Sequence, residues 1–237
     1  MNTGEQITRS SHGLLSTVAY KLEGQAPSYA TEGSIAVAGS LVQWFRDSLE
    51  MIGSAPEIES LARRVEDNGG CYIVPAFAGL FAPHWDPEAR GVVVGLTSYV
   101  TRAHLARAVL EATGWQTAEV VEAMAADSGI AFTRLRVDGG MTSNHLLMQF
   151  VADVLGVPVE RPLVSESVSL GAAYAAGLAV GYWPDLEVLR NNWHRAATWE
   201  PAMSPAVRAR ERAAWGRAVE RTRGWERGDR DAQASVL

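Results

Sequence analysis

A double glycine followed by an asparagine is the segment of the sequence best suited to binding a ligand. Asp138, Gly139 and Gly140 follow a predicted strand, and Asn144 lies within the predicted helix 142–155. A strand, a turn without side chains and a helix N-terminus present unpaired backbone N–H groups and the positive end of a helix dipole to a gap that no Cβ obstructs. A phosphate group or the ribose edge of a nucleotide fits such a gap, with the Asn144 amide beside it. A tight connection with Asn144 on the surface is the alternative that the motif alone leaves open.

A second pair, Gly39 and Gln43, lies four residues apart on a helix that is predicted to begin near Ser34. Residues at i and i+4 share one face of a helix. A glycine inside a helix costs about 1 kcal/mol relative to alanine, which predicts that another helix or a ligand approaches closely at Gly39. Helix packing alone explains this pair, but Gly140 and Asn144 have the same spacing. The two pairs together favour a ligand site more than either pair does.

The rest of the sequence argues against several other chemistries. Lys21 is the only lysine among 21 basic residues and lies outside any glycine-rich loop. A P-loop and the strand lysine of protein kinases are therefore excluded, and Schiff-base chemistry is disfavoured. The five histidines have no metal-binding spacing, and the single cysteine, Cys71, cannot form an internal disulfide or a cysteine zinc site. We predict no metal site and assign no catalytic residue.

Composition indicates a globular protein. The 237 residues are 47% hydrophobic and 20% charged, which is enough for a substantial core. The formal net charge of −6 argues against a nucleic-acid partner, and the arginine-rich stretch 208–223 also contains glutamates, as a solvated helix face does. The longest apolar stretch, 168–183, is interrupted by glycines and is shorter than the roughly 20 residues of a membrane helix. Because residues 1–11 are polar and lack a signal-peptide pattern, we expect a cytoplasmic protein without a membrane partner.

The order of the predicted strands and helices that position these residues indicates an α/β fold. Strand-like and helix-like segments alternate after residue 71 without a linker, which predicts one domain over residues 1–225 followed by a disordered tail, 226–237. A hairpin is predicted over residues 14–30 and an ordered loop over residues 75–91. The predicted strands are 71–74, 132–137 and 157–160, and the other predicted helices are 56–65, 101–113, 117–125, 165–181 and 205–223.

Longer motifs in the chain point to a known family. Residues 91–96, Gly-Val-Val-Val-Gly-Leu, are followed after seven residues by residues 104–111, His-Leu-Ala-Arg-Ala-Val-Leu-Glu, and residues 137–144 are Val-Asp-Gly-Gly-Met-Thr-Ser-Asn. From residue 1 to about residue 225 the chain resembles the C-terminal half of the bacterial glycerol kinases, in the FGGY carbohydrate-kinase family. Three further segments resemble glycerol kinases more than pentulose kinases: 75–91, 159–162 and 170–183.

The resemblance implies a fold and a ligand. Members of this family have two ribonuclease-H-like domains of the actin, Hsp70 and sugar-kinase superfamily, which close around ATP and a polyol, and they bind ATP without a P-loop lysine. The chain would then be the α/β C-terminal domain, incomplete at its N-terminus. The resemblance also implies ATP or ADP contacts at Gly39, Gln43, Gly140 and Asn144, with Mg²⁺ as the counter-ion of the nucleotide.

The same resemblance implies an incomplete enzyme. In family members the catalytic aspartate, the Gly-Thr-Gly phosphate hairpin and the glycerol-contacting residues all precede the position of Met1. We therefore expect the isolated chain to bind nucleotide without phosphorylating glycerol, and to bind glycerol only when the missing N-terminal half is supplied. The chain would be a truncated gene product or the end of a longer reading frame. A non-catalytic nucleotide-binding module, the partner of a separately encoded N-terminal half and a remnant without function are alternatives, and a homo-oligomer is left open.

Overall fold

The computed structural model describes residues 1–226, which form two compact units. The first unit comprises residues 1–131 and 204–226, and the second comprises residues 132–203. The single domain over residues 1–225 stays a prediction. From residue 227 onward, the predicted disordered tail lies outside the described residues.

The helices and strands are numbered in chain order through both units. Residues 1–131 contain β1 (Asn2–Gly4), β2 (Leu15–Tyr20), β3 (Ser28–Glu32), α1 (Gly39–Asp47), α2 (Glu57–Ala62), β4 (Tyr72–Val74), β5 (Val92–Val94) and α3 (Arg102–Ser128). Residues 132–203 contain β6 (Leu135–Arg136), a 3₁₀ helix (Gly140–Ser143), α4 (His145–Leu155), β7 (Val159–Pro162), α5 (Ser167–Ala179), α6 (Leu186–Arg190) and β8 (Arg195–Trp199). The chain then returns to the first unit with α7 (Pro205–Glu220).

The first unit contains two small antiparallel sheets. In one sheet β3 lies between β1 and β2, and the pairing of β2 with β3 confirms the predicted hairpin. In the other sheet β4 pairs with β5, with Tyr72 opposite Val94. The three residues of β4 are all buried and lie within the predicted strand 71–74. Helix α3 packs against β4, α1 and α2 and forms the centre of this unit.

The longest element, α3, is one continuous helix, whereas the sequence predicted two helices, 101–113 and 117–125. Gly114 lies between the two predicted pieces and is buried within α3. Its cost of about 1 kcal/mol relative to alanine is small beside the burial of apolar side chains on both sides of it. Val109 and Ala118, for example, are each at most 1% exposed. Tertiary packing therefore overrides the weak helix-breaking signal.

Both ends of α3 are well capped. At its start, Thr101 and His104 form a capping box, in which each side chain bonds to the backbone of the other residue. At its end, Gly129 adopts the left-handed conformation with φ of 65°, which a residue with a side chain rarely adopts. Although α3 has 27 residues, neither it nor any other helix among residues 1–226 is apolar over enough of its length to cross a membrane.

The second unit is built around a three-stranded sheet. β6 and β7 run parallel, with Leu135 opposite Val159 and Arg136 opposite Glu160, and β7 pairs antiparallel with β8. Helix α4 connects β6 to β7 and packs against β7 and β8. This β-α-β connection is the unit from which α/β folds are built. Of the predicted strand 132–137, only Leu135 and Arg136 form β6.

Candidate functional site

The turn after β6 holds two of the four predicted site residues in the second unit. The backbone N–H of Val137 donates to the Glu160 carbonyl oxygen at 3.0 Å and extends the pairing with β7 by one bond. Gly139 then adopts φ of 86°, a conformation that favours glycine. A Cβ added at Gly139 or Gly140 would meet no heavy atom within 4 Å. The predicted gap without side chains is therefore present at this turn.

Hydroxyl groups hold the turn in place. Thr142 Oγ1 donates to the Gly139 carbonyl oxygen at 2.7 Å, and Ser143 Oγ donates to the Gly140 carbonyl oxygen at 2.8 Å. Arg161 Nη1 donates to the Thr142 carbonyl oxygen, also at 2.8 Å. These bonds occupy carbonyl groups, while the first N–H groups of the 3₁₀ helix have no acceptor within that helix. The turn consequently presents donors, which suit an anionic ligand.

The predicted helix 142–155 would place Asn144 inside a helix. In the structure Asn144 is instead the N-cap of α4. Its side-chain oxygen accepts a hydrogen bond from the Leu147 backbone nitrogen at 2.9 Å. The difference arises because residues 140–143 form a separate 3₁₀ helix and because asparagine is among the best N-cap residues. The cap uses the oxygen of the amide and does not require its nitrogen. Asn144 can therefore cap α4 and donate to a ligand with the same side chain.

Helix α4 is firmly anchored by its apolar face. Leu147, Met148 and Val151 are all at most 4% exposed and lie at helical spacing. Gly156 ends the helix in the left-handed conformation with φ of 70°. The N-terminus of α4 is thereby fixed beside the glycine turn, so both parts of the predicted ligand gap are held by packed structure.

Gly39 and Gln43 lie in the first unit, on α1. The sequence predicted a helix from Ser34 with Gly39 in its middle, but the helix begins at Gly39 itself. Gln116 Nε2 donates to the Val37 carbonyl oxygen at 3.1 Å, and this bond engages a carbonyl that a longer helix would have used internally. The argument from the cost of a glycine inside a helix is therefore wrong. The i, i+4 spacing on one helix face remains.

The chemistry that α1 offers is that of an open helix start with an exposed amide one turn later. The N-cap residue, Ala38, provides no side-chain cap, so the first N–H groups of α1 are available to a ligand. Leu41 and Phe45 are fully buried and fix the helix. Gln43 is exposed, and its side chain makes no hydrogen bond to another residue within 1–226. The structure thus brings Gly39 and Gln43 together in one unit, and Gly140 and Asn144 together in the other.

Arginines surround a buried carboxylate on the sheet that leads to the glycine turn. The side chain of Glu160 is only 6% exposed, and Arg195 Nη1 lies 3.0 Å from its Oε1 atom. Arg134 Nη1 lies 3.7 Å from Oε1, and Arg136 Nε lies 3.8 Å from Oε2. Three guanidinium groups face one carboxylate, so the local charge is positive. A positive field at this end of β6 favours an anionic ligand at the turn.

Sequence reasoning missed a cavity of about 300 Å³ in the second unit. It lies at the carboxyl ends of β6 and β7, and its walls include Leu170, Tyr174 and His194. Arg136 and Trp193 also line it, and the Arg136 guanidinium lies 4.1 Å from the centre of the Trp193 ring. More than fifty residues separate this pair along the chain. No local pattern signals the contact, so only the fold reveals it.

No group of three or more His, Cys, Asp or Glu side chains is placed to hold a metal ion in the part of the chain that the structure describes.

Comparison with known proteins gives closely similar relatives. Glycerol kinase 1 of Streptomyces avermitilis is 62% identical over 225 residues, which cover 95% of this chain and 44% of the relative. The glycerol kinase of Renibacterium salmoninarum is also 62% identical over 225 residues, covering 94% of this chain and 44% of the relative. The glycerol kinase of Nocardia farcinica is 61% identical over 230 residues, or 95% of this chain and 46% of the relative. The chain therefore spans less than half the length of these relatives.

Solved structures show the same fold. The crystal structure of Plasmodium falciparum glycerol kinase with ADP has a TM-score of 0.87 and 37% sequence identity, and it matches 94% of this chain and 44% of that one. A ligand-bound xylulose kinase from Lactobacillus acidophilus, 20% identical with a TM-score of 0.71 over 94% of this chain and 42% of its own, agrees in fold alone. The predicted ribonuclease-H-like α/β fold of the sugar kinases is confirmed. The sequence model described as the FGGY family of carbohydrate kinases, C-terminal domain, matches residues 1–180. Since this match covers well over half of the 237 residues, the chain belongs to the FGGY family of carbohydrate kinases.

Proposed function

We propose that this chain is the ADP- and ATP-binding half of a glycerol kinase. The observation that carries the proposal is the open turn at Gly139 and Gly140, which leaves room for a phosphate or a ribose directly ahead of a helix N-terminus. The positive charge around Glu160 supports an anionic ligand there. The relatives compared above, which are 61 to 62% identical, are glycerol kinases, which supports glycerol as the acceptor of the whole enzyme.

In this proposal each of the four residues has a chemical task. Gly140 lets the ligand approach the backbone, whose N–H groups bond to its oxygen atoms. Asn144 Nδ2 donates to the base or the ribose while its oxygen keeps α4 capped. Gly39 is the first residue of α1 and leaves its uncapped start free of a side chain, so the N–H groups and the helix dipole there can attract negative charge. Gln43, one turn later and exposed, adds an amide contact to the nucleotide.

The reaction of the whole enzyme would transfer the γ-phosphoryl group of ATP to a glycerol hydroxyl, forming glycerol 3-phosphate and ADP. Such a transfer needs a base that accepts the hydroxyl proton and groups that stabilise the charge on the phosphoryl oxygens. We assign neither task to a residue of this chain, so the chain alone binds nucleotide without transferring phosphate. Glycerol binding requires the remaining part of the kinase. Mg²⁺ accompanies the nucleotide, bound mainly to its phosphate oxygens.

A second candidate is a nucleotide-binding module without catalysis. It is favoured because the open turn at Gly139 and Gly140 and the uncapped start of α1 suit a nucleotide, and neither feature supplies a base for phosphoryl transfer. The two candidates share the same nucleotide contacts and differ in whether a supplied N-terminal half restores phosphorylation. A cytoplasmic location remains a further part of the proposal, self-association is left open, and we propose no nucleic-acid or membrane partner.

Calorimetric titration of the full chain with ADP and with ATP tests the proposal. We expect one nucleotide per chain, with competition between ADP and ATP. A parallel assay with ATP and glycerol should detect no glycerol 3-phosphate from the chain alone, and product on adding the rest of a related kinase would favour the first candidate over the second. A folded chain that releases no heat with millimolar nucleotide would contradict both candidate functions.

A further inference from the structure

Arg161, in β7, uses its guanidinium group to hold a backbone carbonyl beside the glycine turn. Its Nη1 atom donates to the carbonyl oxygen of Thr142, which lies 19 residues earlier in the chain. Within residues 1–226 no carboxylate pairs with Arg161, whereas Glu160, the preceding residue of β7, is surrounded by three other arginines. The guanidinium group of Arg161 therefore holds backbone and does not neutralise an acidic side chain.

The side chain of Arg161 lies on the face of the sheet that packs against α4. Successive side chains of a strand point to opposite faces, so Arg161 shares its face with Val159, and Glu160 points to the other face. Val159 pairs with Trp199 of β8, and side chains of directly opposite residues lie on the same face. The Trp199 ring lies 5.4 Å from the ring of His145, the first residue of α4. Arg161 is therefore separate from the arginines around Glu160.

A buried aromatic ring supports the guanidinium group of Arg161. The Cζ atom of Arg161 lies 5.7 Å from the centre of the Trp199 ring, which is within the range of a cation–π interaction. Trp199 is only 8% exposed, so the position of its ring is fixed by packing. One indole ring thus contacts both the arginine that bonds to the 3₁₀ helix and the first residue of α4. The support reaches both sides of the proposed ligand gap.

Thr142 connects the bond from Arg161 to the glycine turn. Thr142 is 4% exposed, and its backbone nitrogen and Oγ1 atom donate to the Gly139 carbonyl oxygen at 3.1 and 2.7 Å. Glycine has more backbone freedom than any other residue, so a turn built on glycine needs restraint from its surroundings. The bonds from Arg161 to Thr142 and from Thr142 to Gly139 supply this restraint.

We propose that Arg161 is a positioning residue for the nucleotide, which holds the turn at Gly139 and Gly140 in the conformation that presents its N–H groups to the ligand. Arg161 acts through Thr142 and does not itself contact the nucleotide. Donors that are already in place bind a ligand without the entropy cost of ordering them, so a looser turn lowers affinity. This inference rests on the proposed function, because it assigns Arg161 to the nucleotide site of that kinase.

The test compares variants of the full chain. Arg161→Met removes the donors and the charge but keeps a long apolar stem beside Trp199, and Arg161→Gln, with a shorter polar side chain, is a second removal variant. Arg161→Lys keeps a charged donor, although without the planar fork of arginine, and measures rescue by a conservative change. Arg190→Met is the matched control, because Arg190 is exposed at the end of α6 in the same unit and its replacement removes the same charge.

Titration with ADP should show about tenfold weaker binding for both removal variants, an intermediate loss for Arg161→Lys, and a change within about twofold for Arg190→Met. Circular dichroism should show that all four variants are folded at the temperature of the titration. Hydrogen exchange without ligand, followed by mass spectrometry, should be faster over residues 139–144 in the removal variants and unchanged in α7. Loss of affinity with faster exchange at the turn alone is the result that the inference predicts.

Three results would overturn the inference and leave the proposed function standing. The first is an ADP affinity in the removal variants equal to that of the unmutated chain. The second is unfolding of both removal variants, because Arg161 would then be required for the fold itself. The third is an equal loss of affinity in Arg190→Met, which would assign the effect to net charge. Failure of the folded, unmutated chain to bind ADP would instead contradict the proposed function, and the inference with it.

Discussion

The side-chain oxygen of Asn144 accepts a hydrogen bond from the backbone nitrogen of Leu147 at 2.9 Å. The residue that we propose to contact the nucleotide therefore also fixes the start of α4. Leu147 is 1% exposed, so the bond ties the proposed ligand gap to the packed interior of its unit. One amide can serve both tasks, because the cap needs its oxygen and a nucleotide acceptor needs its nitrogen.

The two tasks of Asn144 are separable by substitution. Asn144→Asp keeps an oxygen for the cap and should leave the free energy of unfolding within about 0.5 kcal/mol. It removes the amide donor and adds negative charge, so we expect the Kd for ADP to rise by about tenfold or more. Asn144→Ala should lose about 1 kcal/mol of stability as well as the affinity. Urea unfolding and ADP titration measure the two effects, and unchanged ADP affinity in Asn144→Asp would exclude the proposed contact.

The Gln43 side chain should contribute to ligand affinity and not to the stability of the fold. Its side chain is exposed and makes no hydrogen bond to another residue within 1–226. We expect Gln43→Ala to leave the thermal midpoint unchanged and to weaken ADP binding by about fivefold, the value of one modest hydrogen bond. Gln25→Ala, at another exposed position, is the control and should change neither quantity. A fall in stability without a loss of affinity would show that Gln43 is structural.

Glu111 should make stability depend on pH. Burial raises the pKa of Glu111 to about 7, although Arg107 and Asn68 bond to the carboxylate and oppose the rise, and Glu211 adds to it. The unfolded chain releases this proton near the ordinary pKa of 4.5, so the free energy of unfolding should fall as pH rises from 4.5 to 7 and then level off. The loss is on the order of 3 kcal/mol.

Urea unfolding between pH 5 and pH 8 measures this effect. Glu111→Gln removes the titrating group and should flatten the slope, whereas the exposed Glu122→Gln should retain it. A Glu111→Gln variant with the same slope as the unmutated chain would mean that another group is responsible.

Asp127 should make stability depend on pH in the opposite direction, with stability lost as the pH falls. Burial raises its pKa, but hydrogen bonds from Ser10, His12 and Ser11 outweigh burial and hold the pKa well below its ordinary value. Its stabilising contribution is therefore full above about pH 4, the pKa of an unfolded aspartate, and is lost as pH falls further. Asp127→Asn should be less stable than the unmutated chain at pH 7, and the difference should shrink below pH 4. A constant difference at both pH values would contradict this assignment.

Local patterns were sufficient to predict the α/β class and the turn at Gly139 and Gly140, because a glycine pair after a strand is typical of a turn and permits the positive φ that Gly139 adopts. The start of α1 at Gly39 was not predictable from local periodicity, and the Val37 carbonyl just before it bonds to Gln116, 79 residues away. The contact between Arg136 and Trp193 is also distant in sequence. Because Gly114 is buried in the centre of its unit, α3 continues through it as one helix. Tertiary packing overrides a local signal at Gly114 and creates a contact between Arg136 and Trp193 that no local signal predicts.

The most direct test of the central claim compares ADP binding by three chains. Gly140→Val places a branched side chain in the gap, and the open space there means that the substitution should not disturb the packed interior. Gly216→Ala is the control, because a Cβ at Gly216 would meet only the end of the Arg212 side chain, at 4.0 Å. We predict one ADP per chain for the unmutated protein and for Gly216→Ala, and at least about a tenfold loss of affinity for Gly140→Val. Equal ADP affinity in all three chains would contradict the account.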